Sequence, residues 1–289
     1  MQRIAHLLYP IALFFISTSL VHAQKQKSPA EIYTGFFIGL AAGPALISAD
    51  NEVDTTIDYA EFVTASDPVA FILHHLEYTN TLDVEDVSIP GRLSTGYGWC
   101  VGNCWYMAVE LSVFGSGNSE VTEEIAVTEE LTDTEQGTMT ELHWKNSVTP
   151  ALGAQGALDF KTGIFLSRQF LVYGRIGLAV ADVEITSVLQ LETVSSTDIT
   201  LIGAADFTDT VSEIAGGIHL GMGVEQQIIE ELGVIFEYTY VNYGSFNIDH
   251  SVQTYANTGL PDVTTGNMTT DTTVTLSQQT LWIGVNYHF

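Results

Sequence analysis

Residues 232–243 read LGVIFEYTYVNY. In an extended chain successive side chains point to opposite sides. Leu232, Val234, Phe236, Tyr238 and Tyr240 therefore share one face, and Gly233, Ile235, Glu237 and Thr239 share the other. One face is apolar throughout; the other carries glycine and a sparse charge. A soluble sandwich has the opposite character, with its apolar face inside and a richly polar face outside. Lipid on the outside and a crowded narrow lumen on the inside require the arrangement seen here.

The same alternation recurs along the chain. It runs through Tyr33–Ser48, Arg92–Trp99, Trp105–Phe114, Ala151–Phe160, Phe170–Ala181, Ile214–Gln226 and Thr280–Phe289. Each segment is long enough for a tilted span of roughly 9–11 residues. Short connections alternate with long ones. Cys100–Cys104, Lys161–Gln169 and Gln227–Glu231 are short, whereas four others are about 30–40 residues long, the asymmetry of bacterial barrels. With a periplasmic N-terminus the long loops face outward. The expected fold is all-β: a transmembrane up-and-down antiparallel β-barrel of eight strands with long extracellular loops. Val121–Thr132 and Val183–Val194 also alternate, weakly, and would make ten strands if they crossed. Their charges are costly in lipid, so they are expected to be hairpin extensions above the membrane. Trp99, Trp105, Phe170, Tyr287 and Phe289 are expected at the periplasmic interface, and Tyr238, Tyr240 and Tyr243 toward the outer one.

The formal net charge is −27, yet only 15% of residues are charged and mean hydropathy is +0.20. Charge is concentrated: stretches 49–90, 115–150, 182–213 and 244–276 hold 28 of the 35 acidic residues, with Lys145 their only base. Such a balance excludes nucleic acid as a partner, whose phosphates need Lys and Arg. It also excludes docking to a membrane through a basic face. At the N-terminus, Arg3 precedes an apolar run from Leu7 to Leu20, and Val21-His22-Ala23 offers a cleavage site. Residues 1–23 are thus expected to be a signal peptide and 24–289 the barrel domain.

Five stretches carry a family likeness: Tyr33–Gly43, Met107–Gly115, Tyr173–Ala181, Gly221–Glu237 and the C-terminal GVNYHF of Gly284–Phe289. Together they resemble the small outer-membrane β-barrel domain family, the OmpA/OmpX-like and porin-family proteins. The resemblance implies localisation in the cell outer membrane, with bilayer lipid around the strands. It also implies recognition by the barrel-assembly machinery through the last strand, with Gly284, Tyr287 and Phe289 as the signal. The polar residue usual two positions before that glycine is Trp282 here. The roles implied are envelope integrity, adhesion to a host or cell-surface ligand, evasion of host defence, or limited permeability, with no cofactor.

Several constellations stand out against this frame. Arg92, Glu110, Arg175, His219, Glu225 and Glu237 fall on lumen-facing positions. They form either a salt-bridged plug in a lumen just wide enough for side chains, or the lining of a gated, narrow porin-like channel. Arg92 and Glu110 lie at similar distances from one turn and are expected to meet. Cys100 and Cys104 flank that turn on the oxidising side, which favours a disulfide; free thiols or a metal pair are the alternatives. The acidic clusters Asp50, Glu52, Asp54 and Glu129, Glu130, Asp133 match no defined calcium loop and are expected to be solvated faces, with no metal site. Val69–Leu76 (VAFILHHL) is an apolar island, either a contact patch or packed within its loop. His74, His75, His143 and His250 show no spacing to acids or a serine, so catalysis on lipid or peptide is not expected.

Overall fold

The computed structural model describes residues 28–63, 70–102, 105–115, 123–132, 139–195, 200–257 and 263–289. The expected signal peptide and its cleavage site lie outside these residues, as do Cys104 and Asp133. The side chains of Val69–Leu76, Glu129, Glu130, His143 and His250 also lie outside the description.

A five-residue helix, α1 (Pro29–Tyr33), precedes the strands β1 (Gly35–Ala42), β2 (Ala45–Val63), β3 (Ala70–Ser88), β4 (Gly91–Val101), β5 (Trp105–Gly115) and β6 (Glu123–Thr132). They are followed by β7 (Met139–Ser167), β8 (Phe170–Ser195), β9 (Thr200–Ile229), β10 (Leu232–Asn257) and β11 (Val263–His288). In the membrane the order is β1-β4-β5-β7-β8-β9-β10-β11, and β11 pairs back onto β1. The ring closes on eight antiparallel strands, leaving no unpaired edge in hydrocarbon. Phe289 N donates to Phe36 O (3.0 Å) at the closing seam.

The long acidic connections, expected as loops, are mostly strand over their described residues. β2 and β3 continue the staves of β1 and β4, β6 pairs with β7 above β5, and β7 to β11 run straight through. The β11 extension is rich in threonine and valine, VTTGNMTTDTTVTL, and β-branched side chains favour the pleated sheet. The two weakly alternating segments are hairpin extensions, as their charges required.

Along single strands the polarity inverts. On β8 the outward residues run Ile176, Leu178, Val180 and then Asp182, Glu184, Thr186. The buried inward residues run Tyr173, Arg175 and then Val183, Ile185 and Leu189. β10 does the same, with Phe236 and Tyr238 outward and Glu237 buried below, and Asn247 and Asp249 outward and Phe246 and Ile248 buried above. Below the crossover the outer face is apolar and the interior polar; above it the outer face is polar and the interior is an apolar core that also encloses a few mutually hydrogen-bonded polar groups, among them Asn146, Ser187 and Thr272. That core gathers Ile47, Val148, Leu152, Val183, Ile185, Phe246, Ile248, Val274 and Leu276.

Irregularities cluster at the same level. β1 breaks before β2 at Gly43-Pro44, and β3 before β4 at Ile89-Pro90, while β7 and β10 bulge between Leu152/Gln155 and Asn242/Gly244. Each bulge adds a residue and shifts the alternation by one. Inward positions are therefore odd on β7 from Gln155 to Gly163 but even from Asn146 to Leu152. The fourth segment read from sequence, Ala151–Phe160, straddles this bulge, so its alternation is not continuous. Tyr243 sits beside the other bulge and is buried in the core, its hydroxyl donating to Gln155 Oε1, instead of joining the outer aromatic belt.

Above the rim the wall is no longer closed. β9 and β10 are paired only as far as Ile218↔Asn242. The extensions form two four-stranded sheets, β6-β7-β8-β9 and β10-β11-β2-β3, facing each other across the apolar core. At about 3.3 Å per residue, the stretch of β8 from Asp182 to Ser195 reaches roughly 45 Å beyond the crossover.

Candidate functional site in the barrel lumen

The membrane part of the lumen holds one layer of charges, drawn from six of the eight strands of the ring. Arg92 projects from β4, Glu110 from β5, Asp159 and Lys161 from β7, Arg175 from β8, His219 from β9 and Glu237 from β10; all are buried. Glu237 is the hub. It accepts from Arg92 Nη1, from Arg175 Nη1 (2.6 Å) and from Tyr173 Oη (2.7 Å), with Lys161 Nζ at 3.6 Å. Glu110 accepts from Lys161 Nζ (2.6 Å) and lies 3.2 Å from Arg175 Nη2. Asp159 pairs with Arg175 Nη2 and stands 2.9 Å from His219 Nδ1. Three carboxylates thus face three basic side chains, which is what a buried set of ions requires if none is to stand uncompensated.

Aromatic rings seal the layer from both sides. Trp282 covers it on the outer side: Arg92 Cζ lies 4.8 Å from its ring centroid, and its Nε1 donates to Thr239 Oγ1 (2.9 Å). The tryptophan where a polar residue is usual thus serves as the lid of the charge layer. Toward the periplasm, Lys161 Nζ lies 4.8 Å from the Tyr173 centroid.

A second cluster sits at the periplasmic mouth. Glu225 accepts from Asn286 Nδ2 (2.7 Å) and lies 2.7 Å from His288 Nε2. His288 meets Tyr33 of α1 edge-on at 5.0 Å, and the Tyr33 ring also lies 5.0 Å from Phe165. Ser28 starts α1, its N donating to Glu31 Oε2 (2.6 Å), and Pro29 takes the first turn, where its missing N–H is harmless. The short helix thereby closes the periplasmic end with an aromatic plug.

Five of the six expected network residues, all but Glu225, stand in one layer. Three points differ from expectation. Arg92 is paired with Glu237 and not with Glu110, because the β4–β5 register sets Glu110 opposite Gly96 and Arg92 opposite Phe114. Glu225 belongs to the separate mouth cluster. The layer also holds two residues outside the expected set, Asp159 and Lys161, the latter within residues read as a turn, through which β7 runs on to Ser167. Extending the alternation of Gln155, Ala157 and Asp159 two residues further would have found Lys161. Cys100 carries a free thiol, half-buried, with Sγ 3.7 Å from Pro29 O. Gly284 pairs with Ala41, and the Tyr287 and Phe289 rings face outward, 5.0 Å apart. Asp50, Glu52 and Asp54 stand exposed on the outer face of β2.

Small residues make the layer possible. A Cβ on Gly221 would stand 2.9 Å from both Cγ and Cδ of Arg175, and 2.7 Å from Tyr238 O. Gly221→Val is therefore expected to displace Arg175 and destabilise the barrel by about 1–3 kcal/mol, the usual overpacking cost. The check is the temperature at which the folded form is lost on an unheated gel. An unchanged temperature would show that the arginine is not held where described.

A family model for the outer membrane protein beta-barrel domain matches residues 11–289. The chain belongs to that family. Its place is therefore the outer membrane of the cell. No curated protein matches it in sequence. Solved structures similar to it include OprG from Pseudomonas aeruginosa, at 11% identity over 89% of this chain and 98% of that chain, with a TM-score of 0.39. Another is Ail, the attachment invasion locus protein of Yersinia pestis, in complex with the heparin analogue sucrose octasulfate, at 10% identity over 81% and 98%, with a TM-score of 0.26. Neisserial surface protein A matches at 12% identity over 86% and 99%, with a TM-score of 0.27. Likenesses of this strength carry no reading of function across this barrel family.

Proposed function

We propose that this protein is a closed outer-membrane barrel whose function is surface interaction, exerted by its extracellular two-sheet body and not by transport or catalysis. The observation that carries this reading is the inversion of polarity above the rim. A folded body with its own apolar core and an acidic outer surface projects into the medium, where loops serving a pore would need no such core. The lumen supports the same reading, since its charges are mutually paired and roofed by Trp282. His219 is tied to Asp159 inside that layer, which makes it a structural partner and not a base facing the outer surface.

Two measurements test the proposal. The wild-type protein in planar bilayers is expected to conduct ions barely or not at all; large steady conductance would put the narrow-channel role first. Cells displaying the protein are expected to bind host extracellular matrix or neighbouring cells. Shortening the hairpins to the rim, one at a time, should remove that binding while leaving the barrel folded. Binding that survives shortening of all four hairpins would refute a surface role for them.

A further inference from the structure

We propose that the open seam between β9 and β10 above the rim is a strand-addition site for an extended polypeptide segment of a partner protein, with lysine or arginine at alternate positions. This rests on the surface-interaction reading and names the place and the chemistry.

The seam begins where pairing stops. Gly217 still backs onto Asn242, since a Cβ there would lie 2.5 Å from Asn242 O and 3.1 Å from Tyr243 Cδ1. Beyond them β9 pairs only with β8, and β10 only with β11. The hydrogen-bond phase of β9 says which groups are left over. Gln227 N donates to Gln169 O, so odd-numbered residues of β9 point their N–H at β8 and even-numbered ones point away. Below Asn242 those even-numbered groups meet β10; above it they face the seam. Thr210 shows the consequence, its N–H being taken up by the neighbouring Asp209 Oδ1 at 2.8 Å. A side chain is standing in for a strand.

Side chains at the seam select the occupant. Asp209 and Glu213 lie on the core side of β9, opposite Ser187 and Val183 of β8, which are fully buried. Yet both carboxylates are exposed, while Val211 between them packs against the core. Neither 200–217 nor 244–257 contains a lysine or arginine. Core-side charges on an edge strand repel neutral or like-charged strands, and a second copy of this acidic edge would be repelled most. A strand with bases on alternate residues would place them against Asp209 and Glu213 while its main chain satisfied the even-numbered groups, as in strand addition generally.

The test uses the full chain in phosphatidylcholine vesicles and fluorescein-labelled peptides. One peptide alternates lysine with threonine; a second, equal in length and charge, alternates lysine with proline and lacks the N–H groups a ladder needs. The lysine–threonine peptide is expected to bind at least about tenfold more tightly, the worth of one or two main-chain hydrogen bonds. Ser212→Pro removes a seam-facing N–H and spares the β8 ladder, so it should erase the difference. Asp209→Asn with Glu213→Gln should weaken both peptides and flatten the salt dependence. Equal binding of the two peptides by wild-type protein would overturn the proposal without reference to any variant, and so would an unaffected, folded Ser212→Pro protein. Dimers abolished by Ser212→Pro would overturn it in favour of a second copy. Matrix binding that depends on the hairpins but ignores Ser212→Pro would remove the seam and leave the surface role standing.

Discussion

Replacing Glu237 with alanine is expected to be the most damaging single change in the barrel. Its carboxylate is the common acceptor of Arg92, Arg175 and Tyr173, and it lies 3.6 Å from Lys161 Nζ. Without it three cations remain in a buried layer with only Glu110 and Asp159 to balance them. Breaking one partner out of a buried ion set costs about 3–5 kcal/mol, far above the median for exposed pairs. The layer would either lose the barrel outright or admit water beside the arginines. The measurements are the urea midpoint of the folded form and conductance in planar bilayers. A lower midpoint, or a rise in conductance from the closed wild type, is expected. Glu237→Gln keeps the shape and removes the charge, and should fall between. A Glu237→Ala barrel as stable and as closed as wild type would show that the layer neither holds the barrel together nor plugs it.

The second large effect is expected in the extracellular half and should leave the barrel intact. Ile185 is fully buried, facing the apolar core from β8 above the crossover. Ile185→Ala should cost about 2–5 kcal/mol of local stability through lost burial and the cavity left behind. Its neighbour Thr186 points to solvent, and Thr186→Ala should change stability by no more than about 0.5 kcal/mol. Because no ladder among the described residues joins the two sheets above the rim, the loss should appear as local opening. Protease added to intact cells should cut the extensions of the Ile185→Ala protein quickly, while the membrane part keeps its gel mobility. Equal protease resistance of the two variants would mean that the outer half has no core worth the name, and would undo the inversion described above.

The fold was legible in the sequence because the bilayer imposes its rule on every strand separately. Residues 232–243 declare which face meets lipid with no help from any other segment, and Arg92, Glu110, Arg175, His219 and Glu237 could be assigned to the lumen on that ground alone. Length and acidity likewise placed the hairpins outside the membrane. Which lumenal charges pair could not be read in the same way. Arg92 and Glu237 are 145 residues apart and meet across the lumen, where register and stagger of the whole ring decide the distance. The bulges at Leu152/Gln155 and Asn242/Gly244 shift the alternation without marking it, so a period-two count across them puts the wrong face inside. The parting of β9 from β10 was equally invisible. Alternation is a property of one strand and its two environments, whereas pairing, closure and the opening of a seam are properties of neighbours, and only the assembled wall determines who the neighbours are.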